Sequence, residues 1–295
     1  MRAGARSPNV NRGLRGGSSR AVAAGQPRGA GSFPVMTLPM DHWPGAGPVV
    51  VLLHAGVADR RSWRAVGERL AAEGRAVVAY DRRGFGEAAD APTDDGFTHL
   101  ADLEDVLDTV ADGPAWLVGC SMGGEVVLDA ALAMPERLAG AVLLAPSVSG
   151  AAEPDPDALD AATRAIIVQL EAAESLDAAN RLETWLWLDG PDGPEGRVGG
   201  EVRDLALAMN AIALASPAEE DAGASGLDAW PRLEEVTLPV HVGWGALDVP
   251  FMVEQSRAVA ARVPGAHGVE LPGTAHLPML DAPDATAGII RAALP

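Results

Sequence analysis

The sequence predicts a doubly wound α/β fold, with a mostly parallel sheet, helices on both faces and an inserted helical cap. Three observations predict it. Short apolar runs recur without polar alternation, as strands covered on both faces require. Amphipathic stretches fall between these runs, so strand and helix alternate along the chain. The alternation then stops between about residues 150 and 233, where only helical patterns occur.

Taken in order, Pro48–His54 (PVVVLLH) reads as the first buried strand. Ser62–Glu73 follows as a helix whose Trp63, Val66 and Leu70 share a face, with Ser62 placed to cap it. Ala76–Tyr80 is the next strand, and Phe97–Val110 carries a helical stripe of Leu100, Leu103, Leu107 and Val110. Ala115–Val118, Ala141–Ala145, Val240–Gly243 and Gly268–Leu271 read as further strands. Met122–Met134, Met252–Val263 and Asp281–Ala293 read as helices. Within 150–233, helical patterns at Leu159–Ala173, Ala178–Leu188 and Val202–Ala215 are separated by Pro/Gly punctuation at Gly190–Gly200 and Ser216–Gly226. The expected organisation is therefore a core of 41–149 and 234–295 with a cap at 150–233. Ligands of open α/β sheets bind outside the carboxyl ends of the strands, where such a cap would roof a pocket.

Residues 1–40 hold six of the 22 arginines, no acid and many glycines and serines, and read as a disordered extension. Their longest apolar run, Ala21–Ala24, is too short for a secretory signal. The rest of the chain sets 16 arginines against 41 acids, a charge of −25 that opposes binding to nucleic acid and anionic membranes. Cys120 is the one cysteine, so no internal disulfide forms. No apolar stretch approaches a membrane span, and the expected location is cytoplasmic.

The strongest chemical signal is Gly119-Cys-Ser-Met-Gly123, a G-x-S-x-G spacing directly behind an apolar run. That spacing suits a tight strand-to-helix turn that holds the hydroxyl of Ser121 out at the mouth of the sheet. A serine hydroxyl is a weak nucleophile and needs a base, a carboxylate to orient the base, and donors for the oxyanion. Asp248 sits just past the strand Val240–Gly243, in GWGALDVP, and His276 just past the last strand, in LPGTAHLPML. Loops at one edge of a parallel sheet converge, so Ser121, Asp248 and His276 can meet there.

These segments resemble the α/β-hydrolase family, over roughly residues 45–295. His54-Ala55-Gly56 resembles the family's His-Gly-x loop, with Ala55 in place of glycine. Tyr80-Asp81-Arg82-Arg83-Gly84-Phe85-Gly86 resembles its D-x-R-G-x-G segment, and Gly119–Gly124 its nucleophile elbow. Glu87-Ala88 stands where many relatives have a residue followed by serine. The resemblance implies Ser121 as nucleophile, His276 as base and acid, Asp248 as orienting carboxylate, and the N–H groups of Gly56 and Met122 as the oxyanion hole. It also implies cleavage of a small ester or lactone without a cofactor, with enol-lactonase, small-ester hydrolase and cofactor-free haloperoxidase types the nearest in pattern. Perhydrolysis or C–C hydrolysis by the same triad is one alternative, and a ligand receptor with little turnover is another.

The remaining residues have competing readings. Asp248 also suits a turn before Pro250. His241 reads as a packing histidine within a strand, His267 sits at a loop start, and His42 and His99 are expected at the surface. His54 reads as structural, bonding its own loop, Cys120 as a packing residue, and Glu125 as a local contact. Trp185, Trp187, Leu188 and Met209 are candidates to line an apolar pocket, or packing within the cap. No His/Cys/Asp cluster has metal-ligand spacing, and Gly84-Phe85-Gly86 lacks the rest of a dinucleotide fingerprint.

Overall fold

A strand buried on both faces needs a hydrophobic layer on each side, and the chain supplies two. The computed structural model describes residues 38–93, 97–218 and 223–295. The expected Arg/Gly-rich extension up to residue 37 lies outside them. In chain order the elements begin β1 (Met40–Trp43), β2 (Ala46–Leu53), α1 (Arg64–Ala72) and β3 (Arg75–Tyr80). Next come α2 (His99–Val110), β4 (Ala115–Cys120), α3 (Met122–Ala133) and β5 (Leu138–Leu144). An all-helical stretch follows, with α4 (Ala161–Glu171), α5 (Leu176–Thr184) and α6 (Gly200–Ala215). The chain closes with β6 (Val240–Gly245), α7 (Pro250–Arg262), β7 (His267–Leu271), α8 (Pro278–Asp281) and α9 (Pro283–Ala293).

The described strands form one seven-stranded sheet in the order β1-β3-β2-β4-β5-β6-β7, in which β1 alone runs antiparallel. This is the predicted doubly wound, mostly parallel sheet. Alternate residues of β2 feed the two layers. Val50 and Leu52 join Trp63, Val66 and Leu70 of the α1 side and Ile289 and Ile290 of α9. Val51 and Leu53 join Leu103 and Leu107 of α2, Val127 of α3 and Val259 of α7. The strand order reverses between β2 and β4, which opens a crevice at their carboxyl ends.

Several elements differ from the sequence-based expectation. β1 was not predicted, because a four-residue edge strand of sequence MDHW carries no apolar period. Leu38 is buried at 4% exposure, so packed chain begins before the expected boundary at residue 41. Ser62 does not cap α1. Asp59 instead accepts the Arg61 N–H to start a 3-10 turn over Arg60–Trp63, and the Ser62 hydroxyl donates to the Asp59 carbonyl. The predicted Ala178–Leu188 helix ends at Thr184 and passes into a π-helical turn, Trp185–Asp189. The predicted helix Asp281–Ala293 breaks at Ala282, before Pro283 opens α9.

His42 is exposed as expected, but His99 is buried at 5% exposure. Its ring meets Phe97 edge-on at 4.9 Å, and its backbone N–H donates to the Gly223 carbonyl at 2.9 Å. Chain returning from the helical stretch therefore covers it. His241 and His267 lie side by side on β6 and β7, with ring centroids 5.0 Å apart.

Leu117 is fully buried in β4, at the centre of the sheet. Leu117→Ala is expected to destabilise the fold by about 2–5 kcal/mol. Val168→Ala, at a site 57% exposed, should stay within about 0.5 kcal/mol. Chemical denaturation of the two variants checks both values.

Candidate active site

The turn after β4 is built by crowding. Ser121 holds φ 52° and ψ −120°, a conformation costly for a residue with a side chain. Its N–H donates to the Leu144 carbonyl at 3.0 Å, and its carbonyl accepts from Glu125 and Ser147, each at 3.1 Å. A Cβ at Gly119 would strike the Gly123 carbonyl, and one at Gly123 would strike the Leu53 carbonyl. Both glycines of the elbow are thus required by close backbone approach. Met122 opens α3, and N–H groups in a helix's first turn have no partner within the helix.

The loops after β6 and β7 are bonded to each other. Ala246 and Leu247 donate to the carbonyls of Leu271 and Thr274 at 3.0 and 2.8 Å. A side chain at Gly245 would collide with the Thr274 and Ala275 carbonyls, so only glycine lets the second loop cross the end of β6. This crossing sets Asp248 beside His276. His276 Nδ1 lies 2.8 Å from Asp248 Oδ2, while Asp248 Oδ1 accepts the Val249 N–H at 2.7 Å. Both side chains are buried, at 3% and 0% exposure, which strengthens the contact. The His276 backbone is held too. Its N–H donates to the Trp187 carbonyl at 3.1 Å, and its carbonyl accepts from Cys120 Sγ at 3.4 Å. The Trp187 ring sits 4.6 Å from the imidazole.

Ser121, Met122, Gly56 and His276 line one cleft together with Val57, Ser147 and Trp187. Its empty volume is about 240 Å³, counted to its open mouth. The geometry therefore gathers Ser121, His276, Gly56, Met122 and Trp187 around one space, with Asp248 behind the imidazole. Trp185 and Met209 lie elsewhere. The Trp185 indole N–H is bonded to the Gly193 carbonyl at 2.9 Å, and Met209 is buried in the hydrophobic core at 1% exposure. Val57 and Ser147 were not singled out from sequence. Their signal is position, since both follow the carboxyl end of an apolar strand run.

The loop carrying Gly56 is fixed by a buried polar cluster. His54 Nδ1 lies 2.8 Å from the Ala55 carbonyl, and His54 Nε2 accepts the Arg82 backbone N–H at 3.1 Å. This assigns the neutral tautomer protonated on Nδ1, a structural role. Arg82 Nη2 donates to the His54 carbonyl at 2.9 Å, and the guanidinium lies 4.8 Å from the Phe85 ring centroid. Burial pushes the Arg82 pKa down to about 10, so it stays cationic at neutral pH. Asp81 accepts the backbone N–H groups of Arg60 and Glu87 at 2.9 and 2.8 Å and pairs with the Arg60 guanidinium. Arg82 carried no assigned role in the sequence, where it was one of three charges in Asp-Arg-Arg.

Cys120 is fully buried, and burial raises its thiol pKa well above the ordinary value. Among the described residues, no three His, Cys, Asp or Glu side chains group as a metal site requires. None of the described helices is long and apolar enough to cross a membrane.

Comparison with known proteins decides the family. A profile described as "Alpha/beta hydrolase family" matches residues 50–289. The chain belongs to the α/β-hydrolase family. This α/β-hydrolase is 26% identical over 242 residues to the 2-hydroxy-6-oxo-6-phenylhexa-2,4-dienoate hydrolase of Burkholderia cepacia, covering 79% of this chain and 82% of the relative. It is 29% identical over 255 residues to the pimeloyl-[acyl-carrier protein] methyl ester esterase of Neisseria meningitidis serogroup A, covering 84% and 77%. Among solved structures, a thermophilic esterase from Thermogutta terrifontis in a malate-bound state aligns with a TM-score of 0.64 and 27% identity, over 86% of this chain and 92% of that one. These relatives are hydrolases, and this chain is an enzyme of the same broad class.

Two buried histidines give the α/β-hydrolase a pH signature. Burial, reinforced by Arg82, holds His54 and His99 well below the ordinary value of 6.5. Unfolding returns each ring to about 6.5, so below that pH the unfolded chain binds more protons. Each ring's contribution is complete above about pH 6.5 and falls by about 1.4 kcal/mol per pH unit below it. Asp81 and Asp129, raised by burial, act with the opposite sign, because the folded chain protonates them first as pH falls. Replacing one imidazole with a ring that does not titrate isolates its term. His99→Phe should gain about 1 kcal/mol relative to wild type between pH 7.5 and 5.5, read by denaturant unfolding at both values. A difference independent of pH would refute the neutral, buried state of His99.

Proposed function

We propose that this α/β-hydrolase cleaves small carboxylic esters or lactones through an acyl-enzyme, with Ser121, His276 and Asp248 as its triad. The observation that carries the reading is the 2.8 Å contact between His276 Nδ1 and Asp248 Oδ2 behind a cleft that Ser121 also lines. In this reading the carboxylate holds the proton on Nδ1 and leaves Nε2 free to act as base. Nε2 takes the Ser121 proton as Oγ attacks the substrate carbonyl. The N–H groups of Gly56 and Met122 bind the oxyanion, worth several kcal/mol in a water-poor site. The imidazolium then protonates the leaving alcohol, and Nε2 later draws a proton from water to release the acid.

The cleft lining of Val57, Met122, Trp187 and the single extra hydroxyl of Ser147 is mostly apolar, which suits an uncharged acyl group. The acidic body disfavours anionic partners and so supports a neutral ester or lactone. Residues 150–233 are read as a cap over the strand ends, because Trp187 reaches from them into the cleft. Two curated relatives named as a methyl ester esterase and a dienoate hydrolase support hydrolysis, the first through an ester and the second through the C–C reading. The C–C reading uses the same three residues, but the proton must then go to the departing carbon in place of an alkoxide oxygen.

Turnover of short p-nitrophenyl esters and simple lactones is expected from the wild type. Ser121→Ala should lose about 10⁴-fold or more in kcat. Asp248→Asn should lose on the order of 10³–10⁴-fold by disturbing the imidazole tautomer. Ligand binding without Ser121-dependent hydrolysis across that panel would overturn the enzyme reading in favour of a receptor. An Asp248→Asn rate within a few-fold of wild type would remove Asp248 from the triad.

A further inference from the structure

The loop that carries His276 is gripped from two sides. One side is the β6 loop with Asp248. The other is the all-helical stretch, through one arginine. Arg197 uses all five of its N–H donors. Nε donates to the Asp189 carbonyl at 2.7 Å. Nη1 donates to the Gly273 carbonyl at 2.8 Å and to Asp281 Oδ1 at 3.2 Å. Nη2 donates to the Leu188 carbonyl at 2.8 Å and to Asp281 Oδ2 at 2.6 Å. Asp281 Oδ2 in turn accepts the Ala275 N–H at 3.1 Å, one residue before His276. A guanidinium with a bidentate carboxylate and three carbonyls is fixed in both position and plane.

The element presenting Arg197 is itself built rigidly. Asp189, fully buried at the end of the π-helical turn, accepts the N–H groups of Gly196 and Val198 at 2.8 and 2.9 Å and pairs with Arg203 at 2.6 Å. Asp189 thereby folds the Gly190–Gly199 loop back toward the turn. That same turn supplies Trp187, whose carbonyl accepts the His276 N–H and whose ring packs on the imidazole. Gly273, Ala275 and His276 thus each spend a backbone group on this assembly. Without Arg197 the His276 loop keeps its grip on the β6 side, the Trp187 contact and the Asp281–Ala275 bond, and loses its charged anchor.

We propose that Arg197 is a positioning residue for the base of this enzyme, holding His276 in register with Asp248 and Ser121 from the opposite side of the loop. The proposal rests on the Ser121–His276–Asp248 reading. A displacement of about 1 Å in a reacting group costs on the order of 10²-fold in rate. Substrate contacts remain in place when Arg197 is removed, because Arg197 does not line the cleft. The loss therefore falls on kcat and not on KM.

The test uses the full-length chain with p-nitrophenyl acetate. Arg197→Met, which keeps the aliphatic stem and no donors, should lower kcat about 10–100-fold with KM within about threefold. Arg197→Lys, which restores the charge without the fork, should recover part of that loss. The downfield proton resonance of the His276 Nδ1–H bond to Asp248 should shift or broaden in the Met variant and persist in the Lys variant. If Arg197→Met does not fold, Asp281→Asn, which keeps the side chain's shape, carries the same kcat test. A kcat within twofold of wild type in a folded variant with a lowered Tm would reduce Arg197 to a structural brace and overturn the proposal. Ser121→Ala separates the two ideas. If it is inactive while Arg197→Met is fully active, only the positioning role fails. If Ser121→Ala keeps the wild-type rate, the triad reading itself falls.

Discussion

The rest of the site depends on one tight approach, where the turn after β4 meets the end of β2. Gly123 presses on the Leu53 carbonyl and Gly119 on the carbonyl of Gly123. No side chain fits at either point, so the backbone alone sets the spacing between two strand ends. That single contact has three consequences. It holds Ser121 at a positive φ, starts α3 with Met122 at the cleft, and fixes the His54–Gly56 loop one residue beyond Leu53. Strain of about 1–3 kcal/mol at one serine is tolerable because two central parallel strands and α3 hold it on all sides. A looser turn would relieve the strain and scatter those groups.

Around this contact, charge is anchored by planar forks. All 22 cationic side chains are arginine. Arg83 binds Asp102 with two bonds of 2.9 Å, Arg61 binds Asp59, and Arg197 binds Asp281. None of these pairs joins two strands: Arg83 ties its loop to α2, Arg61 and Asp59 share one turn, and Arg197 ties its loop to the end of α8. Each is partly buried, where a bidentate pair keeps its geometry better than a single ammonium contact. Isolated surface pairs such as Arg291 with Glu73 add little by comparison. These arginines therefore tie loops to neighbouring turns and helices outside the sheet ladder. Arg82 is the extreme case, fully buried and bound to the loop that carries Gly56.

Much of this was legible from residue patterns. Continuous apolar runs identified β2, β3, β4, β5 and β6, because burial on both faces leaves an unambiguous mark, whereas β7, an edge strand exposed at four of its five residues, was expected buried and is not. The positions of Ser121, Asp248 and His276 followed from asking which reactive side chains stand just past those runs. What pattern reading missed has a common cause. β1 is too short for any period, and the break into the π-helical turn at Trp185 costs no apolar spacing, so neither disturbs the hydrophobic rhythm. His99 looked like a surface residue because its own helix places it at the first turn. The chain that buries it, at Gly223, is 124 residues away in sequence. Ser147 and Arg197 are set by similar long-range approaches. Trp187 was one of four candidates on a stripe, and only the turn at the end of α5 separates its direction from that of Trp185.

The same distinction bears on what the helical stretch between β5 and β6 does. A roof held only by apolar packing can slide without disturbing the sheet edge below it. Here the connection is polar and directional. The Trp187 carbonyl and the Arg197 fork attach to the backbone of the His276 loop, and Asp189 is spent on keeping those two together. Hydrogen bonds to fixed backbone groups lose strength steeply with angle and distance, so the turn and the loop are constrained to move together. The part of the insertion nearest the cleft is tied by these bonds to the loops at the sheet edge, while α4 is held by apolar packing through buried Ile166 and Leu170 and leaves Val168 open to solvent. Under the proposed triad, the turn at Trp185–Asp189 then keeps the imidazole in place through directional bonds that apolar packing alone does not supply.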